Sequence, residues 1–370
     1  MDESRRPGPG GHSPKQEATE ECRTTDTSPS GAHSGDSEGR RATVRNGIRR
    51  RLARLAILVT VLVLVLVAGG LVAGWLYGRS IDQRIERLDV FGPLPQEGRP
   101  AKSADGPLNF LVLGRDAADP GESSSRTDTI ILVHVPADRE RVQAISIPRD
   151  TWVTIPETAD GRPATQAKIN AAYAWGGAPL MVSTVERFTG VRIDHVVVVD
   201  FAGFAQIVDA LGGVQVTVDR TFVASEPPHR AFVQGVRHLD GASALDYARE
   251  RHAFPDGDFA RMRHQQDLIA AMVDQAARGE LLTNPRRLDQ FLRAAAQAVS
   301  VDENLSLFDL GWTLRRLTSA RISMFTSPSA GTGMVGDQSV VFADTAAAGR
   351  LFEAVRTDRM DGWIAENTTP

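Results

Sequence analysis

The stretch HVVVVDFAGFAQIVDALGG, residues 195–213, places a β-strand directly before a helix. His195–Asp200 is almost continuously apolar, as expected for a strand that is covered on both faces. Phe201–Leu211 has apolar residues at helical spacing and ends at Gly212 and Gly213, which suit a helix C-cap. This strand–helix unit favours an α/β fold over a helical bundle or a β-sandwich.

Segments of the same two kinds precede and follow this unit. Further β-rich runs bounded by turn residues lie at 109–114, 129–135, 141–147, 214–218 and near 322–326. Helical patterns cover 241–249, 258–278, 285–299, 306–319 and about 345–355. Because strands and helices alternate along the chain, we predict a three-layer α/β domain.

The composition excludes several classes of protein. The 370-residue chain has one cysteine, Cys22, and a formal net charge of −4. A single cysteine excludes an intrachain disulfide framework and any metal site built from several cysteines. The charge is too mild to indicate a nucleic-acid-binding protein, so no nucleic acid is expected as a partner. Glycine motifs of nucleotide-binding loops are absent from the sequence, which gives no support to nucleotide chemistry.

The N-terminal part of the chain differs from the rest. Residues 1–54 contain no aromatic residue and end in an arginine-rich run, which predicts a disordered cytoplasmic tail with a basic juxtamembrane segment. Residues 55–77 carry no charge, and as a helix they would be about 34 Å long, enough to cross a bilayer. Residues 78–107 hold four prolines among mixed charges and predict an extracytoplasmic stalk.

The apolar segment at 55–77 has two interpretations. A cleaved signal peptide would have a shorter apolar region, of about 7–15 residues, and a small-residue cleavage site. The greater length favours an uncleaved signal anchor, that is, one transmembrane helix before the domain. The arginines that precede it predict that the N-terminus stays in the cytoplasm and that the domain lies outside the cell membrane.

Two aspartates stand at predicted strand ends. Asp116 follows the strand at 109–114, and Asp128 opens the strand at 129–135. Ligand-binding groups of α/β folds lie at strand ends, and two converging carboxylates would suit Mg²⁺, which prefers oxygen ligands. Position alone leaves open the alternative that Asp116 caps a turn and Asp128 caps a strand entry.

Basic and amide side chains stand near the same strand and helix ends. They are Arg126, Arg149, Lys168, Arg249, Arg251, Arg261 and Gln265. Guanidinium groups beside two carboxylates favour a phosphate or pyrophosphate site, because each guanidinium can bind an oxyanion with two hydrogen bonds. For any one arginine the alternative is a surface salt bridge, worth only about 0–1 kcal/mol.

Spacing supports this interpretation for two pairs of residues. Arg249 and Arg251 would point the same way in an extended segment. Arg261 and Gln265 are four residues apart and share one face of a helix. Arg263 shares neither position, so we expect its side chain to point elsewhere.

Seven motifs resemble, in order, those of the LytR–CpsA–Psr family: FLVLGRD, SRTDTIILV, AISIPRDTWV, KINAAYAWGG, VDFAGFAQIVDALGGVQV, LDGASALDYARERH and DFARMRHQQ. The resemblance spans about residues 108–275. It implies a three-layer α-β-α domain with a central mixed sheet and an apolar groove for a polyprenyl tail. We therefore place the catalytic core at 108–280 and treat 281–370 as the completion of the same domain.

The resemblance also implies an activity. Members of the family are membrane-anchored phosphotransferases that move a glycopolymer from a polyprenyl-pyrophosphate carrier to peptidoglycan and leave a phosphodiester link. By that similarity Asp116 and Asp128 would hold Mg²⁺, and Asp116 is the best candidate for the base. The implied catalytic residues are Asp116, Arg126, Asp128, Arg149, Arg249 and Arg251. The residues implied to bind pyrophosphate are Arg126, Arg149, Lys168, Arg249, Arg251, Asp258, Arg261 and Gln265.

The chain departs from the family pattern at two places. Ala118 stands where the family often has an arginine, and His264 stands where many members have an arginine before the glutamine. Two other functions stay open from the sequence: a non-catalytic polyprenyl-phosphate-binding protein of envelope assembly, and a transcriptional attenuator. The predicted location outside the membrane argues against the attenuator, and pyrophosphatase activity, with water as acceptor, is a plausible side reaction.

Overall fold

A computed structural model describes residues 78–80, 82–102, 106–115, 127–278, 280–306 and 318–367. All of them lie in one compact unit, Val72–Pro370. Within these ranges, no helix has both the length and the apolar character that a membrane span requires. The predicted tail and transmembrane helix, residues 1–77, lie outside the described residues.

The strands and helices occur in groups along the chain. The strands are β1 (Glu86–Leu88), β2 (Leu108–Arg115), β3 (Thr127–Val135), β4 (Val142–Ser146), β5 (Trp152–Ile155), β6 (Thr165–Lys168), β7 (His195–Asp200), β8 (Val214–Val218), β9 (Phe222–Val223), β10 (Ala231–Phe232), β11 (Gly235–Leu239), β12 (Val299–Asp302), β13 (Ile322–Thr326), β14 (Ser329–Val335) and β15 (Gln338–Ala343). The helices are α1 (Ala171–Thr189), α2 (Phe201–Ala210), α3 (Gly241–Arg249), α4 (Asp258–Ala277), α5 (Glu280–Thr283), α6 (Pro285–Ala298), α7 (Thr345–Arg356) and α8 (Met360–Asn367).

The central sheet has seven strands in the spatial order β1-β12-β7-β2-β3-β4-β13. Its neighbours are parallel in β1–β12, β7–β2 and β4–β13 and antiparallel in the other three pairs. The prediction of a mixed sheet is therefore confirmed. β12 and β13, from the C-terminal part of the chain, lie in the same sheet as β2–β4.

Helices cover both faces of this sheet because alternate residues of each strand point to opposite sides. On one face Ile130 and Leu132 of β3 join a buried cluster with residues of α1 and α7. On the other face Ile131 and Val133 of the same strand line apolar cavities together with Ile269 of α4. The domain is thus a three-layer α-β-α sandwich, as predicted.

The ends of the strands define where a site can form. Arg115 and Asp200 are opposite each other in the strand register, at the carboxyl ends of the parallel strands β2 and β7. β4 runs in the same direction as these strands because it pairs antiparallel with β3, which pairs antiparallel with β2. Arg149, just after β4, therefore lies at the same end of the sheet, which is the end where α/β folds bind ligands.

Residues of the segment predicted as a stalk contribute to the fold. β1 pairs with β12 at the edge of the sheet, and the side chains of Val90 and Leu94 are buried in the core. Arg99 forms an ion pair with Glu186 of α1, in which both side chains are almost fully buried. The folded domain therefore begins before β2.

Candidate functional site

Arg149 is the centre of a charged cluster at the carboxyl end of the sheet. Its Nη1 donates to Asp128 Oδ1, and its Nε donates to Asp258 Oδ2 over 3.1 Å. The carboxylate of Asp150 lies 3.9 Å from the same Nε. Carboxylates from β3, from α4 and from the turn after β4 thus converge on one guanidinium.

The backbone around Arg149 explains its position. Pro148 follows β4 and has no amide hydrogen to extend the strand pairing, which suits the end of a strand. The chain turns there: the amide of Thr151 donates to Pro148 O over 3.0 Å. The amide of Asn170, just before α1, donates to Arg149 O over 3.2 Å. This bond fixes the Arg149 backbone against the start of α1.

α4 presents three site residues on one face. Asp258 is in its first turn, where a carboxylate is favoured by the helix dipole. Arg261 Nη2 lies 3.3 Å from Asp258 Oδ2 and donates to Asp128 O over 3.2 Å. Gln265, one turn further on, accepts from Thr129 Oγ1 over 3.1 Å and donates to Ala248 O over 3.4 Å. The predicted common face of Arg261 and Gln265 therefore exists.

Two further basic residues complete the cluster. Lys168, the last residue of β6, places its Nζ 3.1 Å from Asp150 Oδ1. Arg251, two residues after α3, places its Nη1 3.7 Å from Asp258 Oδ1. Within the described ranges, four cationic side chains therefore contact three carboxylates: Arg149, Lys168, Arg251 and Arg261 against Asp128, Asp150 and Asp258.

The structure thus brings together seven of the ten residues predicted for the site. They are Asp128, Arg149, Lys168, Arg251, Asp258, Arg261 and Gln265. Asp116 and Arg126 lie outside the described residues. Arg263 forms an ion pair with Asp256, with about half of its side chain exposed, and does not point toward the cluster, as expected.

Arg249 has a different environment from the one the sequence suggested. The premise that Arg249 and Arg251 lie in one extended segment is wrong, because Arg249 is the last residue of α3. Its guanidinium lies 5.4 Å from the centre of the Phe201 ring, a distance at which a cation–π interaction is favourable. Phe201 lines an apolar cavity together with Gln265, so Arg249 stands beside the cluster.

The cluster contains four cations and three carboxylates among the described residues, and the pKa values of two of its arginines are shifted in opposite directions. Burial alone would lower the pKa of Arg149, but the carboxylates of Asp128 and Asp258 raise it above its ordinary value. Burial lowers the pKa of Arg261; Asp258 opposes this effect, and Arg149 adds to it. Both arginines stay protonated at neutral pH. The nearby carboxylates therefore compensate Arg149 better than Arg261.

One buried atom in the cluster is a donor that an anion could engage. Nε of Arg261 is buried and has no hydrogen-bond partner within the part of the chain that the structure describes. A buried donor without an acceptor is costly, so such an atom requires an explanation. An oxyanion bound between Arg261 and its neighbours would supply the acceptor.

No group of three or more histidine, cysteine, aspartate or glutamate side chains within the described ranges could hold a metal ion. Of the two predicted metal ligands, Asp128 is described and Asp116 is not. Asp128 offers carboxylate oxygens, which are hard ligands, beside a site for phosphate oxygens. The chemistry of this donor set fits Mg²⁺ if other oxygen ligands are added.

Apolar space begins directly beside the cluster. A cavity of about 200 Å³ is lined by Thr129 and Gln265 and, further in, by Phe204, Leu268 and Met272. A second cavity, of about 290 Å³, continues between α4 and the sheet. Val112, Ile131 and Ile269 line both. A polar head and an apolar chain can therefore be held in one continuous site.

Sequence reasoning missed two residues of the site. Asp150 binds Lys168 and faces Arg149, and Thr129 binds Gln265. Asp150 directly follows Arg149 in the sequence, and Thr129 directly follows Asp128. This adjacency to predicted site residues is the signal that could have identified them.

Comparisons with known proteins agree with this architecture. The LytR_cpsA_psr family model matches residues 84–357. The polyisoprenyl-teichoic acid–peptidoglycan teichoic acid transferase TagU of Bacillus cereus is 34% identical over 224 residues, which are 58% of this chain and 70% of that protein. The cell wall biosynthesis protein LcpA of Corynebacterium glutamicum is 28% identical over 291 residues, 68% of this chain and 56% of that relative.

A solved structure gives the same result for the fold. The crystal structure of TagV from B. subtilis aligns with a TM-score of 0.59 and 27% sequence identity, over 70% of this chain and 99% of that chain. The family match runs from just before β1 to just after α7 and so includes the whole central sheet. The chain therefore belongs to the LytR_cpsA_psr family.

Proposed function

We propose that this protein transfers a glycopolymer from a polyprenyl-pyrophosphate carrier to peptidoglycan and forms a phosphodiester link. The observation that carries the proposal is the junction of two environments: a charged cluster with surplus positive charge and an apolar cavity that begins at Gln265. A polyprenyl pyrophosphate has a dianionic head and an apolar chain, so each half has a matching environment. The name of the TagU relative points to the same reaction class.

The pyrophosphate is proposed to bind the basic side chains of the cluster. The residues assigned to it are Arg126, Arg149, Lys168, Arg249, Arg251, Arg261 and Gln265. Arg261 supports this assignment most directly, because its buried Nε has no acceptor among the residues that the structure describes and its charge is poorly compensated by the carboxylates there. Asp258 is assigned a positioning role, since its carboxylate orients Arg149, Arg251 and Arg261 at once.

The polyprenyl chain is proposed to occupy the two apolar cavities between α4 and the sheet. Their linings consist of aliphatic and aromatic side chains apart from Thr129 and Gln265 next to the cluster, and Gly114. Burial of an apolar chain there is favourable by about 25 cal/mol for each Å² removed from water. The polyprenyl chain would thus provide affinity, while the pyrophosphate determines the orientation of the donor.

Mg²⁺ is proposed to be held by Asp116 and Asp128. When bound, it would neutralise charge on the phosphate oxygens. Asp128 also accepts from Arg149, so the same carboxylate holds the guanidinium in place for the substrate. Arg149 would stabilise the negative charge that spreads over the phosphoryl oxygens in the transition state.

The proposed reaction is a displacement at phosphorus. The hydroxyl of a peptidoglycan sugar attacks the phosphorus next to the donor sugar, and a new P–O bond forms. The bond from that phosphorus to the bridging oxygen breaks, and polyprenyl phosphate leaves with the electron pair. Asp116 is the candidate that takes the hydroxyl proton. With water in place of the sugar hydroxyl, the same steps give a pyrophosphatase side activity.

A lipid-linked donor also explains the predicted membrane anchor. We propose that residues 55–77 form one transmembrane helix and hold the domain on the outer side of the cell membrane. Enzyme and carrier would then share one surface, which raises their effective concentration.

The test uses the full chain in detergent with a labelled polyprenyl-pyrophosphate glycan, a peptidoglycan oligosaccharide and Mg²⁺. Arg251→Gln removes one guanidinium that faces Asp258, and Arg263→Gln removes an exposed guanidinium two residues beyond Arg261. We expect Arg251→Gln to lower the transfer rate about 10²-fold and Arg263→Gln to leave it unchanged. EDTA should abolish transfer, and added Mg²⁺ should restore it.

Each part of the proposal can fail separately. Equal rates for the two variants would overturn the assignment of the cluster to pyrophosphate. Full activity in EDTA would overturn the metal assignment. Tight binding of the donor without any transfer would instead support a non-catalytic carrier-binding protein.

A further inference from the structure

A further cavity, larger than the two beside the charged cluster, lies at the opposite end of the sheet from that cluster. Its volume is about 840 Å³, and it is bounded by residues 94–102, the C-terminal end of α1 and the segment that precedes β7. Asn109, near the start of β2, lines it, whereas the cluster lies beyond Arg115 at the other end of that strand. Eight residues of extended chain separate the two ends by about 24 Å. We refer to this cavity as the basic groove.

Positive side chains outnumber negative ones in its lining. The cationic residues are Arg99, Lys102, Arg187, Arg192 and Arg356, and the acidic residues are Glu97, Glu186 and Asp194. Two of the carboxylates already have donors. Glu186 accepts from Arg99 over 2.7 and 2.9 Å and from the amide of Ile193 over 2.8 Å. Asp194 accepts from the amide of Asn109 over 2.9 Å.

Three of the cations remain without a carboxylate partner within the described residues. Lys102 and Arg187 are exposed, and their side chains form no hydrogen bond or ion pair there. Arg192 donates to two neutral groups, Pro100 O over 3.2 Å and Gln96 Oε1 over 3.3 Å. Burial lowers the pKa of Arg192, and the positive charge of Arg99 lowers it further. The groove thus concentrates positive charge on a chain whose net charge is −4.

The size and lining of the groove favour a polymer over a small ion. Its volume is near the upper end of the range for ligand sites, about 300–1,000 Å³. Four prolines in the lining, Pro95, Pro100, Pro107 and Pro156, provide rigid apolar surface between the charged residues. Apolar surface alternating with cations suits a chain that alternates carbon-rich units with anionic groups.

We propose that the basic groove binds a phosphate-bearing segment of an anionic glycopolymer, several repeats away from its pyrophosphate end. The identity of this polymer as the donor rests on the function proposed above, whereas binding at the groove does not. A donor held at the charged cluster would have to span the length of the sheet to reach the groove. Long donors would therefore gain affinity that short donors lack.

The experiment measures binding of a fluorescent poly(glycerol phosphate) oligomer of about ten repeats to the full chain in detergent micelles, by anisotropy at low salt. Lys102→Gln/Arg187→Gln removes two exposed groove cations whose side chains form no hydrogen bond or ion pair within the described ranges, so the fold should be unaffected. Arg263→Gln/Arg293→Gln removes the same charge from two exposed arginines elsewhere. We expect the groove pair to weaken binding about tenfold and the control pair to change it less than about twofold.

Further arms separate this proposal from the function of the cluster. Arg251→Gln should lose transfer but keep its affinity for the oligomer. Glycerol phosphate and inorganic phosphate should each bind the groove pair and the unmodified protein with equal affinity. Equal oligomer affinity in the groove pair and the control pair would overturn the proposal. So would a loss of affinity in Arg251→Gln alone, or binding of a carboxylate-bearing muropeptide in place of the phosphate polymer. None of these outcomes affects transfer from a short donor, which tests the cluster by itself.

Discussion

At the scale of single residues, two neighbours on α4 have opposite roles. Gln265 faces the charged cluster and binds Thr129. His264 faces the other way and packs among aromatic rings, with centroid distances of 4.2 Å to Tyr247, 4.8 Å to Phe254 and 5.7 Å to Phe222. The departure from the family pattern at His264 therefore changes the aromatic core and not the group of side chains assigned to the pyrophosphate.

The burial of His264 predicts a pH-dependent stability. Removal from water lowers its pKa from 6.5 to about 4. The unfolded chain takes up a proton below about pH 6.5, but the folded protein does so only below about pH 4. Stability is therefore complete above pH 6.5, falls as the pH drops toward 4 by up to about 3 kcal/mol, and then levels off.

The measurement is urea unfolding at pH 7.5 and pH 5 for the unmodified protein and for His264→Phe. Phenylalanine keeps the aromatic packing but cannot be protonated, so the variant should lose less stability between the two pH values. The difference between the two proteins removes the contribution of other titrating groups. Identical losses would show that His264 does not titrate in this way.

The sequence predicts which residues gather at the site better than it predicts their partners. Asp128, Arg149 and Asp258 could be placed because they follow or open elements with clear periodicity. The pairing of Lys168 with Asp150 depends on the β5–β6 hairpin, which has no strong pattern in the sequence. Local periodicity predicts strands and helices, whereas tertiary contacts determine which charged side chains form ion pairs.

At the scale of elements, α2 lies very close to α6. A Cβ atom at Gly203 would lie 2.3 Å from Ala298 Cβ and 2.4 Å from Ala298 Cα, distances that real atoms do not adopt. We expect Gly203→Ala to separate the two helices and to destabilise the fold by about 1–3 kcal/mol. Because α2 follows β7 directly, the shift should also move Phe201 and lower activity.

Gly349→Ala is the matched control for this substitution. Gly349 is also inside a helix, α7, but no atom lies within 4 Å of its would-be Cβ. Alanine favours a helix over glycine by up to about 1 kcal/mol, so this variant should be slightly more stable. Thermal unfolding of the two variants measures both effects, and a stable Gly203→Ala protein would contradict the close contact.

The cavities between α4 and the sheet predict a dependence on the length of the carrier. Ile269 lines both cavities, so Ile269→Trp should fill the space where they meet. We expect the KM for a long polyprenyl donor to rise about tenfold, while a short water-soluble donor is used as before. An equal rise for both donors would place the carrier chain elsewhere.

The strand and helix boundaries show how far local patterns reach. β7, β8, α3 and β13 have the predicted bounds, and β2, β3, β4 and α4 differ by one or two residues at either end. α1 was not predicted as a long helix because Gly176 and Gly177, which have non-helical backbone angles, interrupt its pattern. The β14–β15 hairpin and β12 were also missed, since short runs that depend on a distant partner strand have weak signals of their own.

At the scale of the whole molecule, the predicted anchor should matter only when the donor is in a membrane. A chain that lacks residues 1–77 should transfer glycan from a detergent-dispersed donor at the rate of the full chain. With the donor in liposomes, we expect its rate to be about 10²-fold lower, because the effective concentration at the surface is lost. A truncated chain that is fully active on liposomes would contradict the proposed tethering role.

The charge of Arg261 is compensated less well than that of Arg149, and this difference affects the stability of the whole domain. Arg261 is almost fully buried and its Nε has no acceptor among the described residues, so a substrate oxygen placed there would satisfy a buried donor. Substrate binding should therefore raise the melting temperature, and Arg261→Met should do the same without substrate while abolishing turnover. Selection for thermal stability alone would replace Arg261. An arginine kept at this position would indicate selection for substrate binding at the expense of stability.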